Sequence, residues 1–242
     1  MKILPGKLNG PRRQMLTNTH STTHFRALTR IMSVGVLLIA GPAAVSATDD
    51  EEFGFDEPVF IENTGKSTLA RHKRLTGTRS LHPDEAEIIY KQNADALHRD
   101  FRSSIDPIAR RFSNWERANT KPYPSFSHGR RYLNNYLNQK AENYLKYERA
   151  GRLPVGAIIA KDSFAVDQSG AFMPGPLFIM EKMPAGFNYV SGDWRYTLIQ
   201  PDGSISGSTN GENADNVKFC VSCHLAAEKK DHLFFVPNEF RR

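Results

Sequence analysis

The sequence predicts an α+β fold with helices first, an antiparallel β-sheet next and a short helix near the C-terminus. Three observations support this order. Before residue 150, apolar residues recur at three- and four-residue steps. Between residues 155 and 205, apolar, β-branched and aromatic runs are separated by Gly- and Pro-rich breaks, which is typical of short strands. Near the C-terminus, the spacing of Cys220, Cys223 and His224 suits one face of a helix.

The first predicted helix begins at Pro83-Asp84-Glu85, because a proline and acidic residues suit the first turn of a helix. The apolar residues that follow at helical spacing are Ile88, Ile89, Leu97 and Phe101. A further helical turn or two is expected within residues 105–115.

A second helix is predicted over Arg130–Ala150, with Gly151 placed to end it. Its residues at three- and four-residue steps are Leu133, Tyr136, Leu137, Ala141, Tyr144 and Leu145. The proline-broken loop 121–129 precedes this helix and contains two aromatic rings and His128. Two roles are open for the loop: it covers a cofactor, or it makes ordinary packing and turn contacts.

The second half of the chain predicts strands. The apolar runs are 155–166, 177–183 and 194–200. Pro201-Asp202-Gly203-Ser204 predicts a tight turn into a further strand around Ile205, since proline presets φ and glycine accepts the left-handed position. A polar loop over residues 207–216 then leads into the C-terminal helix.

The segment Cys220–His224 contains both cysteines of the chain, with a histidine directly after the second. Cys-x-x-Cys-His is the attachment motif of a c-type haem, in which each thiol forms a thioether with a haem vinyl group. The histidine is then an axial ligand of the iron. We therefore predict one covalent haem c per chain, bound through Cys220, Cys223 and His224, with His224 as the metal ligand.

Two other uses of these residues fit the sequence less well. A redox disulfide needs no histidine, and its motif would follow a strand at the start of a βαβ unit. A zinc site needs four ligands, and the nearest further histidine, His232, lacks the spacing of a zinc finger.

Residues 1–47 have the parts of a secretory signal in the required order. The segment holds six lysines and arginines and no acid, then the apolar run 31–40, and it ends on Val45-Ser46-Ala47, which resembles a cleavage site. We predict cleavage near Ala47 and export to the periplasm. An uncleaved membrane anchor is the alternative, although the apolar run is short for a membrane span.

Removing this leader changes the charge of the protein. The whole chain has 32 Lys and Arg against 26 Asp and Glu, and the loss of six basic residues leaves 26 against 26. The basic character therefore belongs to the leader, and no nucleic-acid partner is expected. The predicted organisation is a signal peptide (1–47), a flexible lead-in (48–80) and one haem domain (81–242).

The place of the motif in the chain predicts how the iron is coordinated. Small electron-transfer cytochromes c carry the motif near the N-terminus and a methionine ligand downstream of it. Here no methionine follows His224. Met173, Met180 and Met183 lie upstream, where a methionine in a strand is more often part of the core. We therefore expect five-coordinate iron with an open face, which gas binding or catalysis requires.

A motif near the C-terminus also suits the four-helix-bundle cytochromes c′, but the predicted strands argue against that fold. Residues 151–162, 180–183 and 192–196, followed by Cys220–His224, resemble the cytochrome P460 family in order and spacing. The resemblance covers about residues 115–240. It implies a haem c protein built on a largely antiparallel sheet with helices, and a homodimer as one assembly.

In the hydroxylamine-oxidising members of that family, a strand lysine is cross-linked to the haem ring and a distal glutamate accepts protons. The resemblance places Lys161 at the lysine, with an ordinary solvated side chain as the alternative. It places Phe178 where the glutamate stands, which leaves the reaction without its expected base. Glu181 is a weak substitute because an odd offset along a strand points to the opposite face. An apolar distal side is similar to the related β-sheet cytochromes c′, which bind nitric oxide.

Three functions follow from these expectations. The first is an oxidoreductase that acts on hydroxylamine or nitric oxide at an open iron and passes electrons to a periplasmic partner. The second is a nitric-oxide-binding protein without turnover. The third, an electron carrier, agrees least with the sequence because no second strong-field ligand is evident.

Overall fold

The computed structural model describes residues 72–242. The predicted signal peptide and residues 48–71 of the predicted lead-in lie outside the described residues. The α-helices are α1 (Pro83–Arg102) and α2 (Lys218–His224). The strands are β1 (Glu116–Arg117), β2 (Tyr123–Ser125), β3 (Arg131–Leu137), β4 (Ile158–Val166), β5 (Phe172–Pro174), β6 (Leu177–Lys182), β7 (Trp194–Ile199) and β8 (Ile205–Ser208). Short 3₁₀ segments lie at Phe112–Asn114, Gln139–Arg149, Tyr189–Ser191, Ala214–Val217, Leu225–Lys230 and Asn238–Phe240.

All eight strands belong to one antiparallel sheet in the order β1-β3-β4-β6-β7-β8, with β2 also pairing with β3 and β5 with β4. An antiparallel sheet between helices near the two ends of the described chain is the predicted α+β arrangement. Within the described residues, neither α-helix has the combination of length and apolar character that crossing a bilayer requires.

Strand β4 is buried along its whole length, so both faces of the sheet are covered at its centre. Alternate side chains therefore enter two different cores. One core contains Ile159 of β4 with Phe178 and Met180 of β6, and it packs against the C-terminal segment. The other contains Phe164 of β4 and is covered by α1.

Helix α1 forms where the sequence predicts it. His82 precedes the helix in an extended conformation, Asp84 and Glu85 occupy its first turn, and Arg99 and Arg102 occupy its last. These charges suit the two ends of the helix dipole. The buried stripe consists of Ala86, Tyr90, Leu97 and Phe101. Ile88, which contributed to the predicted periodicity, is 58% exposed.

The prediction of one helix over Arg130–Ala150 is wrong in its first half, because Arg131–Leu137 is strand β3. All seven residues are buried, so apolar and aromatic side chains occur on both faces and imitate helical spacing. Helical structure begins only after Asn138, whose side-chain oxygen accepts the Ala141 N–H at 3.1 Å. Gly151 follows this 3₁₀ segment with φ +64°, a value that favours glycine.

The later strands lie where the sequence predicts them: β4 begins three residues later than predicted, β6 and β7 each end one residue earlier, and β8 begins at Ile205. The turn between β7 and β8 is confirmed: Gly203 has φ +83°, and its N–H donates to the Gln200 carbonyl at 2.9 Å. The two- and three-residue strands β1, β2 and β5 were missed because such short segments have no measurable periodicity. At the start of the described chain, the Arg79 N–H donates to the Val166 carbonyl at 2.8 Å.

A hydrogen-bonded polar cluster lies within the core that α1 covers. Asp162 of β4 is fully buried, and its carboxylate accepts from Tyr90, at 2.5 Å, and from Asn134, at 3.0 Å. His98 Nε2 lies 2.9 Å from the same carboxylate, and Tyr136 is hydrogen-bonded to Tyr90. Burial, reinforced by the nearby Asp162, raises the pKa of both tyrosines. The buried charge of Asp162 is therefore stabilised by donors on three sides.

Replacing Phe164 tests the packing on this side of the sheet. Phe164 is fully buried, and its ring stacks on Tyr132, Tyr90 and Phe172 with centroids 5.2–5.8 Å apart. Phe164→Ala should lower the free energy of unfolding by about 3–5 kcal/mol in urea denaturation. Phe126→Ala is the matched control, since Phe126 is 74% exposed and its loss should cost less than about 0.5 kcal/mol. Equal losses in the two variants would contradict this assignment of the core.

Candidate functional site

The three residues of the predicted haem motif lie on α2 and line one cavity. Cys220 is half-buried, Cys223 is exposed, and His224 is 6% exposed. Both cysteines are free thiols. Burial raises the pKa of the Cys220 thiol to about 12. The helix therefore brings two thiols and an imidazole to one cavity, as the spacing predicts.

The cavity lies between α2 and the face of the sheet opposite α1, with an open volume of about 520 Å³ that includes its mouth. From the sheet it is lined by Lys161, Phe178, Ile179, Met180, Tyr196, Thr197 and Leu198. The other lining residues are His72, Ser127, His128, Cys220, Cys223, His224 and Phe234. Most of these side chains are apolar or aromatic, as in a typical cofactor pocket.

His224 is held in one orientation and one tautomer. Its Nδ1 lies 2.7 Å from the carbonyl oxygen of His232, and since a carbonyl only accepts, Nδ1 carries the proton. The ring also packs against Tyr196 and Phe234, with centroids 5.0 and 5.1 Å away. Burial, with a smaller effect of Lys161, lowers the pKa of His224 to about 3. The imidazole is therefore neutral at pH 7, and Nε2 retains the lone pair that a metal requires.

Lys161 is buried in the same cavity, at 4% exposure. No carboxylate within residues 72–242 forms an ion pair with its ammonium group. Burial lowers the pKa of Lys161 to about 8, and the nearby Cys223 opposes this shift. A substantial fraction of the side chain is therefore the neutral, nucleophilic amine near pH 8.

Phe178 stands directly opposite Lys161 in the pairing of β6 with β4. Both side chains therefore lie on the same face and line the cavity, as the resemblance implies. Glu181 is three residues further along β6, does not line the cavity, and forms an ion pair with Arg195. The prediction that Glu181 faces away from Phe178 is confirmed.

Two histidines complete the wall around Phe178. The rings of His72 and His128 lie 4.8 and 4.9 Å from the Phe178 ring and 5.2 Å from each other. Burial, assisted by Arg131 and Lys161, lowers the pKa of His72 to about 4. Burial, assisted by Lys161 and His72, lowers the pKa of His128 well below its ordinary value. Both imidazoles are therefore neutral at pH 7.

His128 has a partial signal in the sequence, whereas His72 has none. His128 ends the aromatic, proline-broken loop 121–129, for which a place over the cofactor was one of two open roles. His72 is a single histidine in a polar segment, far from the motif in the chain. Only the folded chain brings it to Phe178 and to Phe219, whose ring centroid is 4.4 Å away.

The chemistry of the cavity fits a covalently bound haem. The thiols of Cys220 and Cys223 and the Nε2 atom of His224 are the donors that a c-type haem uses. Tyr196 lines the cavity, and its buried hydroxyl has no hydrogen-bond partner among the described residues, so this hydroxyl has a donor to offer a bound group. In the described part of the chain, no three His, Cys, Asp or Glu side chains cluster so as to hold a metal ion by themselves.

The comparisons with known proteins agree with this geometry. No match was found among curated proteins. The sequence model of the cytochrome P460 family matches residues 110–235, a segment that contains β3 to β8, Lys161, Phe178 and the whole of α2. The match covers more than half of the chain, and the chain belongs to the cytochrome P460 family.

Proposed function

We propose that this protein is a mono-haem c-type cytochrome that oxidises a small nitrogen species, hydroxylamine or nitric oxide, at an open haem iron. Membership of the cytochrome P460 family implies a haem cofactor. The observation that carries the proposal is the shared cavity, which Cys220, Cys223 and His224 line from α2 and Lys161 and Phe178 line from the sheet. This set of residues supports covalent attachment of the haem, with His224 as axial ligand.

The residues of the cavity have separate roles in this proposal. When bound, haem supplies an iron that takes a nitrogen atom as ligand and accepts electrons. His224 offers a neutral Nε2, because its Nδ1–H is donated to the His232 carbonyl. The aromatic ring of Phe178 excludes water from the space beside Lys161. Lys161, when neutral, is a nucleophile whose Nζ would be bonded to the edge of the haem in place of one N–H and one ring C–H, with two protons released and two electrons passed through the haem to the electron-transfer partner that we propose.

Hydroxylamine loses protons as it is oxidised, so the cavity needs a proton acceptor. Phe178 cannot serve, and we assign this role to His128. Its Nδ1 lies 2.8 Å from the Ser125 hydroxyl, and with Nδ1–H donated to that oxygen, Nε2 keeps its lone pair. The lowered pKa of His128 keeps it unprotonated near pH 7. His128 thus replaces the carboxylate that the family resemblance leads one to expect at Phe178.

A second candidate function is the binding of nitric oxide without turnover, and the apolar side chain of Phe178 favours it. The electron-carrier alternative requires a sixth ligand to the iron, for which Met180 and the two cavity histidines are the side chains at hand. The basic leader supports our proposal that the protein is exported to the periplasm, where an electron-transfer partner would reoxidise it. We propose that the protein forms a homodimer and has no nucleic-acid partner.

Covalent attachment of haem is tested by extraction. The mature chain, expressed with cytochrome c maturation machinery, should keep its haem through acid–acetone extraction because thioether bonds survive this treatment. Cys220→Ala combined with Cys223→Ala should release all of it. Ser222→Ala, on the same helix between the two cysteines, is the control and should behave as the wild type. Extractable haem in the wild-type protein would falsify the attachment.

Cross-linking of Lys161 is tested by the absorption spectrum. A bond from Lys161 to the macrocycle perturbs its conjugation, so the Soret band of the ferrous protein should lie to the red of ordinary haem c. Lys161→Ala should return the band to the ordinary position. Lys140→Ala removes an exposed lysine and should leave the band unchanged. A wild-type band at the ordinary position means that Lys161 is not bonded to the haem.

The proton acceptor is tested by steady-state oxidation of hydroxylamine. His128→Asn should lower kcat by about 10²–10⁴-fold, the usual cost of removing a general base. Adding Phe178→Glu to that variant should restore turnover, because it supplies a carboxylate to the same cavity, next to position 128. Because burial lowers the pKa of His128, wild-type activity should be lost only as the pH falls below 6.5. His82→Asn, which changes an exposed helix cap, should have no effect.

The spin state of the ferrous protein and its uptake of nitric oxide and carbon monoxide, measured beside turnover, identify the alternatives. Absence of turnover in every variant, with rapid uptake of nitric oxide by a high-spin ferrous protein, would favour the binding function. A low-spin ferrous protein that resists nitric oxide and carbon monoxide would favour the electron carrier. Wild-type rates in His128→Asn would assign the proton acceptor to another residue of the cavity.

A further inference from the structure

The turn after α2 contains two consecutive residues in the left-handed region of backbone space. Asp231 has φ +54° and His232 has φ +61°, and neither is glycine. Such conformations are uncommon for residues with a side chain and persist only where the surroundings hold them. The His232 carbonyl is the acceptor for Nδ1–H of His224. The strained turn therefore directs the group that orients the predicted axial ligand.

A buried ion pair holds this turn. Lys182 and Asp231 are 5% and 6% exposed, and their charged groups are 2.5 Å apart. The other oxygen of the Asp231 carboxylate accepts the Leu153 N–H at 2.9 Å. Lys182 also donates to the Gly192 carbonyl at 2.8 Å. Each charge therefore has a second partner, which a buried ion pair needs to be tolerated.

Backbone and ring contacts fix the same turn from the sheet. The indole N–H of Trp194 donates to the Asp231 carbonyl at 2.8 Å, and the His232 N–H donates to the Ala227 carbonyl at 2.9 Å. The His232 ring lies against Gly192 so closely that a Cβ at this position would be 2.5 Å from its Cδ2 atom. Lys182, Gly192 and Trp194 thus act together on one short turn.

We propose that the Lys182–Asp231 ion pair positions the predicted axial ligand of the haem, by holding the His232 carbonyl against Nδ1 of His224. An acceptor at Nδ1 fixes the tautomer and the ring plane of a ligating histidine and raises the basicity of Nε2. Lys182 and Asp231 are positioning residues, since neither lines the haem cavity. The inference rests on the proposed function, because it concerns the histidine that would bind the iron.

The ion pair also gives a role to two of the segments that resemble the cytochrome P460 family. Residues 180–183 contain Lys182, and residues 192–196 contain Gly192 and Trp194. None of these three residues lines the haem cavity. All three contact the turn that carries Asp231 and His232. Each segment therefore contacts the C-terminal turn and also supplies a residue that lines the cavity, Met180 or Tyr196.

The test compares haem-loaded variants by resonance Raman spectroscopy and redox titration. Asp231→Asn keeps the shape and the acceptor for Leu153 but removes the charge. It should shift the Fe–His stretching band of the ferrous protein to lower frequency and the midpoint potential to more positive values, because a looser Nδ1–H contact weakens donation from Nε2. Lys182→Met should do the same, whereas Lys182→Arg, which keeps the charge, should recover most of the wild-type signal.

Glu181→Gln is the matched control. It breaks the Glu181–Arg195 ion pair on the same two strands, on the side away from the cavity. It should leave both spectroscopic readouts unchanged, even if the free energy of unfolding falls. Should Asp231→Asn fail to fold, Gly192→Ala displaces the His232 ring without removing either charge and should shift the band in the same direction.

The outcomes separate the two proposals. A wild-type protein without a histidine-ligated haem c overturns the proposed function and this inference with it. A wild-type protein with such a haem, whose band and potential are unmoved by Asp231→Asn, Lys182→Met and Gly192→Ala, overturns the inference alone. In that case the ion pair only stabilises the fold, and the loss should appear in urea denaturation but not in the spectra.

Discussion

The burial of β4 on both faces is the constraint on which the other features of the molecule depend. Two adjacent ionisable residues, Lys161 and Asp162, lie in this strand, and both are buried. Because side chains alternate along a strand, the two charges face opposite sides of the sheet and cannot pair with each other. Each side chain therefore has separate surroundings, which are polar around Asp162 and largely aromatic around Lys161.

On the α1 side, Asp162 is surrounded by donors: Tyr90, Asn134 and His98 reach its carboxylate. All three donors belong to α1 or to the sheet, so the hydrogen bonds of this carboxylate are made within the core. On the other side, Lys161 faces an aromatic cavity with no carboxylate partner among the described residues. Burying an amine without a charged partner lowers the stability of the fold. Groups of this kind are concentrated at functional sites.

The C-terminal segment completes the cavity by folding back over the sheet. Tyr144 donates to the Phe234 carbonyl at 2.9 Å, and the Lys182–Asp231 pair joins β6 to the turn after α2. Both contacts lie beside cavity-lining residues, Phe234 and His224, rather than within the cavity. The contacts that hold the C-terminal segment on the sheet therefore lie next to the candidate haem ligand and the cavity wall.

The sequence by itself predicted the fold class, α1, the four longer later strands and the Cys-x-x-Cys-His motif, because each has a local signal: helix-terminal residues, apolar and β-branched runs between Gly and Pro breaks, a turn or a fixed spacing. It also indicated Lys161 and Phe178 through the resemblance to the cytochrome P460 family, and their cross-strand pairing agrees. The tertiary structure alone decided that Arg131–Leu137 is a strand, since burial on both faces removes the periodicity that separates strand from helix. It alone brought His72 and His128 to Phe178 and Asp231 to Lys182, because contacts between distant segments depend on how the sheet and the C-terminal segment pack.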